Sequence, residues 1–190
     1  MCLEGRFVHG KRLLQEFSKE GKFAWLDMAN ILRDKDSGIC MTGGYESTGS
    51  QISINQPLTS KLPSVHWFTG TTNPKNSIFK PFVFTQDADI GSLCISPKFG
   101  DDDPRVVKPR FQTDVDRRHK LYVAHQNFFS VAKRKFKHGI KPPCNISEFE
   151  DKIFKDIEVL LQDQEDNTKT LSTVFKNICE QEYEFYCNME

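Results

Sequence analysis

The sequence predicts an α+β fold in layers, with about three strands followed by three helices. Three observations carry this. Short segments between Gln51 and Phe84 alternate in polarity or are apolar on both faces, as strands do. From Asp116 onward, apolar residues recur at helical spacing in three stretches. Strands apolar on both faces are usually covered from both sides, so the sheet is expected to sit between other layers rather than form a solvated hairpin.

The elements follow in order. Glu4 to Phe17 reads as a helix with a partial stripe of Phe7, Leu13, Leu14 and Phe17, weakened by Gly5 and Gly10 and ended by Gly21. Phe23 to Arg33 reads as a second helix, and Asp34 to Ser50, dense in Gly, Ser and Thr, as loop. Gln51 to Asn55 is a strand with Ile52 and Ile54 on one face, stopped by Pro57. Val65 to Phe68 is a second strand and Ile78 to Phe84 a third. In the third, Phe79 and Val83 share one face while Ile78, Phe82 and Phe84 share the other. Pro81 cannot donate to a ladder, so it marks an edge strand or a bulge. Gln86 to Thr113 has no periodicity. A stripe of Leu121, His125, Phe128, Phe129, Ala132 and Phe136 then makes a helix, with Gly139 and Pro142-Pro143 as stop signals. Ser147 and Glu150 have capping-box spacing at the start of the next helix. Leu171, Val174, Phe175, Ile178 and Phe185 define the last. The chain is thus read as one partial domain: helices and loop over 1–47, sheet strands over 48–85, a flexible loop over 86–113 and C-terminal helices over 114–190. Three strands are few for a sheet buried on both sides, so partner strands are expected elsewhere.

Composition narrows the function classes. The 190 residues carry 26 basic and 26 acidic side chains, which is no footprint for nucleic acid. No run of about 18 apolar residues occurs, so no membrane span is expected. Residues 1–10 lack the apolar core of a secretory signal. The six cysteines (Cys2, Cys40, Cys94, Cys144, Cys179, Cys187) are widely spaced and form no CxxC pair. Reduced thiols in a cytoplasmic protein are the expected reading, with no metal site and no cofactor. Asn145-Ile146-Ser147 fits a glycosylation sequon but is read here as a helix cap.

Three segments carry a resemblance to a known family. "FTGTTNPKNSIFKPFVF" (Phe68 to Phe84) resembles the T-G-T-x-x-P-x-x-S-x-F-K-P-F segment of secernins, which belong to peptidase family C69. "ILRDKDSGICM" (Ile31 to Met41) resembles the segment that secernins carry just upstream, and "DRRHKLYVAHQ" (Asp116 to Gln126) the Arg-Arg-His helix start downstream. The resemblance implies an N-terminal-nucleophile hydrolase fold, an αββα sandwich, of which this chain is the C-terminal portion. It implies a cysteine-type dipeptidase acting on a small peptide-like substrate. The nucleophilic cysteine lies near the start of the complete chain, so none of its catalytic residues are expected here. It also links the family to regulated exocytosis, which leaves a non-catalytic interaction protein as the alternative.

Each candidate residue also has a plainer role. Cys2 leads into a helix rather than a strand, which argues against it as the nucleophile. His66 lies in a strand and Lys80 on an otherwise apolar strand face. These two are the substrate-binding candidates, Lys80 through a substrate carboxylate. The plainer readings are a packed histidine, and a lysine that is paired, turned outward or displaced by a bulge at Pro81. His119 and His125 lie six residues apart, a poor spacing for one helix face. Arg117 and Arg118 near a helix start require acidic partners. Thr69 to Pro74 lacks the GK[ST] ending of a phosphate loop and reads as a turn.

Overall fold

A computed structural model describes residues 3–103, 107, 117–137, 146–162 and 167–188. Cys2, Cys144, the sequon's Asn145, the stop signals at Gly139 and Pro142-Pro143, and most of 104–116 therefore lie outside the described residues. The helices are α1 (Leu3–Phe17), α2 (Trp25–Leu32), α3 (Lys120–Lys137), α4 (Ile146–Gln162) and α5 (Thr168–Cys187). The strands are β1 (Gln51–Ile54), β2 (Val65–Thr69) and β3 (Phe79–Phe82). The α+β class and the order of the elements match the sequence reading. The chain forms two compact units, Met1–Ala88 with Asn145–Ser172, and Asp89–Cys144 with Thr173–Glu190.

The first unit holds the sheet. Its order is β1-β2-β3, with both pairs antiparallel. Ile52 faces Trp67 and Ile54 faces Val65, while Trp67 and Thr69 face Pro81 and Phe79. These side chains share one face, and its centre is an aromatic stack. Trp25 of α2 lies 5.2 Å from Trp67, nearly parallel to it, and Phe154 of α4 lies 5.0 Å from Trp25. Burying large rings in offset stacks adds to the gain from area alone, about 1 kcal/mol for each pair. α2 starts at Trp25 rather than Phe23 because the Asp27 carboxylate accepts the Ala24 backbone N–H at 2.8 Å, half of a capping box.

The other face carries Ser53, His66, Phe68, Lys80 and Phe82. Its covering is uneven. Lys80 is 0% exposed, Phe68, Phe82 and His66 are half-buried, and Phe84 just beyond β3 is 74% exposed. The expectation of a second full layer on this surface is therefore not met among the described residues. Phe82 packs edge-on against both Phe68 and Phe84, so the aromatic residues here pack on one another. Pro81 keeps an unbroken register opposite Trp67 in an edge strand. No bulge forms, and the edge reading holds because an outer strand tolerates a missing donor.

The second unit is built on α3 and the later part of α5. Leu121, Ala124, Phe128, Cys179 and Tyr186 form its core, with Leu93 and Cys94 packed against it. Residues 89–103 carry no helix or strand but make specific contacts. Gly91 N–H donates to Asp89 Oδ1 at 2.8 Å, and Lys176 Nζ reaches Asp89 Oδ2 at 3.0 Å. The amide of Gly91 and then Lys176 hold the Asp89 carboxyl below its usual value of 3.8, and Asp89 in turn holds Lys176 above 10.5. A lowered acid contributes stability above its unfolded pKa that is lost as pH falls through its folded pKa. A raised base contributes below its unfolded pKa and loses that contribution as pH rises through its folded value. The anchor is thus complete from about pH 4 to pH 10 and weakens outside that window. A carboxyl-detected NMR titration should find Asp89 depressed in the native chain, less depressed in Lys176→Met, and still below 3.8 there because Gly91 keeps donating.

Candidate functional site

The segments Ile31 to Met41 and Phe68 to Phe84 meet at Arg33. It follows α2 directly, and its backbone N–H caps the helix on Ala29 O at 3.0 Å. Its guanidinium then spans three elements. Nε donates to Pro74 O at 2.8 Å, and Nη2 donates to Ser77 O at 3.0 Å and to Glu150 Oε1 at 2.6 Å. The guanidinium carbon also lies 5.1 Å from the centre of the Phe79 ring. Glu150 of α4 is buried, and its Oε1 also accepts the Phe79 backbone N–H at 2.7 Å. A carboxylate removed from water needs an opposite charge and hydrogen bonds to offset its lost hydration, and Oε1 receives both. Oε2 is buried and takes no hydrogen bond among the described residues, so the group depends on its other oxygen. Glu150 is thus not the second half of a capping box with Ser147. It lies three and seven residues before Ile153 and Ile157, on the buried face of α4.

The loop after β2 is organised by hydroxyls. Thr71 Oγ1 and Ser77 Oγ lie 2.7 Å apart, and Ser77 Oγ is within 3.2 Å of the Thr71, Thr72 and Asn73 carbonyls. Ser77 has one proton, so the consistent arrangement has Thr71 donating to Ser77 and Ser77 donating to a carbonyl, with Thr72 O nearest at 2.9 Å. Asn73 adopts a φ of 61°, which asparagine tolerates better than most residues. Its N–H donates to Ser47 O at 2.8 Å, and Cys40 Sγ lies 3.8 Å from its Oδ1. Carbonyls of this loop turn toward Ser77 and Arg33. A phosphate cradle presents N–H groups instead, so the turn reading stands. Cys40 is buried against an amide oxygen, a poor setting for a nucleophile, which needs exposure and a nearby base.

The two substrate-binding candidates share the partly covered sheet face. His66 faces Phe82 across the ladder and Lys80 faces Phe68. His66 Nδ1 lies 2.9 Å from Ser53 Oγ on the neighbouring strand, and its ring meets Phe84 edge-on at 5.0 Å. Both contacts are those of a packed, hydrogen-bonded histidine. Lys80 neither turns outward nor sits at a bulge. Its ammonium folds back to donate to Ile78 O at 2.8 Å. The chain thus gives Lys80 an internal acceptor.

The remaining candidates have local roles in the second unit. Arg118 pairs with Asp103 at 2.6 Å, the acidic partner that the sequence requires, whereas Arg117 lies over the Tyr122 ring at 5.6 Å. His119 Nδ1 accepts the Tyr122 backbone N–H at 3.1 Å, which caps the start of α3. His125 is buried among aromatic rings, including Phe129 at 4.7 Å and Tyr186 at 5.5 Å. No group of three or more potential metal ligands occurs among the described residues, and no described helix is long and apolar enough to cross a membrane.

The sequence reading missed Arg33 and Glu150 as a pair. A signal for Glu150 was present, an acidic residue in register with an apolar helix stripe. Nothing pointed to its partner 117 positions away. Glu150→Ala strands the Arg33 charge and the Phe79 N–H together, so it should destabilise the chain by about 3 kcal/mol or more in urea unfolding. Lys152→Ala, exposed on the same helix, should change stability by under about 0.5 kcal/mol. No known protein family and no solved structure matches the chain.

Proposed function

We propose that this chain is the C-terminal part of a secernin-like protein of peptidase family C69. In its complete form such a protein hydrolyses amide bonds of small peptide-like substrates through a cysteine carried outside these residues. The observation that carries the reading is the run of three family-like segments in order. Two of them, around Arg33 and around Thr69 to Lys80, pack on one another through the Arg33 guanidinium. The partly open sheet face supports it too. In an αββα sandwich a second sheet stacks on such a surface, and Phe68, Phe82 and Phe84 are apolar residues suited to that burial. Cys40, Cys94, Cys179 and Cys187 are thiols, which suits the cytoplasm.

A second reading, a non-catalytic interaction protein of the exocytic machinery, is favoured by Phe7, Val8, Leu14 and Phe17, all exposed on α1. No large hydrophobic side chain among the described residues of α5 is exposed, so an interface there lacks support.

Dipeptide release measured for this chain and for the full-length protein tests the proposal. Activity in the full-length protein alone is expected. Activity in this chain would overturn the assignment of the nucleophile, and a folded but inactive full-length protein would favour the interaction reading. In the active protein, Lys80→Met should lower thermal stability, because it removes the donor to Ile78 O, and leave KM for the dipeptide unchanged. A raised KM at unchanged stability would make Lys80 a substrate-binding residue.

A further inference from the structure

We propose that Cys94 and Cys179 form an oxidation site, a thiol pair that closes to a disulfide and staples residues 89–95 to α5. Their sulfur atoms lie 3.6 Å apart although the residues are 85 positions apart in the chain. Both are thiols, Cys179 buried and Cys94 half-buried. The inference does not depend on the family reading.

The surroundings hold the two sulfurs together. Residues 89–95 run along one face of α5 and touch it at three successive points. Asp89 pairs with Lys176 at 3.0 Å. Gly91 has a φ of +68°, and a Cβ there would come within 2.9 Å of Lys176 Cγ, so only glycine permits the approach. Cys94 then reaches Cys179, three residues beyond Lys176 and on the same helix face. Leu93 O accepts the Leu121 N–H at 3.1 Å, and Leu93 and Cys94 pack on the core of Leu121, Ala124, Phe128, Cys179 and Tyr186. The segment is therefore anchored to α5 and to α3 just before the thiol, and the sulfurs are at van der Waals contact without any rearrangement of the unit. A bond of about 2 Å requires the two sulfurs to close by about 1.6 Å from their present separation.

The chemistry divides the two roles. Cys94, the more accessible thiol, is oxidised first. Its thiolate attacks hydrogen peroxide, giving Cys94 sulfenic acid and one water or hydroxide. Cys179 then attacks the Cys94 sulfur, the S–S bond forms, and the sulfenic oxygen leaves as a second water. One peroxide is reduced to two waters and the two thiols lose two hydrogens. A dithiol reductant reverses the bond. In the reduced state the Asp89–Lys176 pair is a direct polar tie between this segment and α5, and it is exposed and screened by salt. The oxidised state adds a covalent tie to α5 that closes a long loop.

The full chain, treated with hydrogen peroxide, alkylated and digested without reductant, can be mapped by mass spectrometry. The Cys94–Cys179 cross-linked peptide should dominate the disulfides and disappear with dithiothreitol. The oxidised chain should melt on the order of 5–10 °C higher. In Cys179→Ser, dimedone should trap sulfenic acid on Cys94. Cys187, exposed, reports unselective oxidation. A disulfide mixture in which this pair does not dominate overturns the proposal. So does a chain in which Cys94 and Cys179 are both alkylated while Cys187 is oxidised. An unchanged melting temperature in the cross-linked chain overturns the staple.

Discussion

Much of the first unit depends on one ion pair between a half-buried arginine and a buried glutamate. Arg33 and Glu150 lie 2.6 Å apart, and each also satisfies backbone groups that are otherwise hard to satisfy in an irregular, buried loop. Arg33 takes two carbonyls of the Pro74 to Ser77 turn, and Glu150 takes the first N–H of β3. α2, the turn, β3 and α4 thus meet at two side chains. Removing either leaves a charge and an uncompensated backbone group in low dielectric. Such a loss costs far more than the intact pair contributes relative to an apolar replacement. The pair therefore specifies how four elements are arranged, and the aromatic stack of Trp25, Trp67 and Phe154 supplies the apolar burial beside it.

The sheet has two unlike faces. One is sealed by α2 and α4. The other ranges from a fully buried lysine to an exposed phenylalanine within five residues. A lysine ammonium is retained in such a place when the protein supplies acceptors, as Ile78 O does here. The open end, with Phe84 and half-buried Phe82 and Phe68, has the character of a surface meant for contact. This asymmetry is the structural feature that the proposed two-sheet layout accounts for.

Element identity was legible in the sequence because it is set by local period. All three strands and the five described helices fall within a few residues of their expected places. The α2 boundary shifted because Asp27 caps Ala24, a contact that pattern alone does not fix. Pro81 was legible as an edge or bulge residue, since a missing donor is a local property, but the choice of the edge over a bulge was not. Long-range choices were not legible. Ser147 and Glu150 have capping-box spacing, yet Glu150 turns inward to a partner supplied by a different helix. Lys80 was recognisable as anomalous, but its solution, donation to a carbonyl two residues back, depends on which atoms the fold leaves unsatisfied. The meeting of Cys94 with Cys179 has no sequence signal, because 85 residues of intervening chain decide it.

The central claim is that Arg33 and Glu150 act as one unit on the start of β3. A double-mutant cycle with Arg33→Met and Glu150→Met, read by urea unfolding and by hydrogen exchange at the Phe79 amide, tests it most directly. The account predicts a coupling energy of about 2 kcal/mol or more, with Phe79 protection lost in the Glu150 variant and reduced in the Arg33 variant. Additive effects with Phe79 still protected in both variants would contradict it.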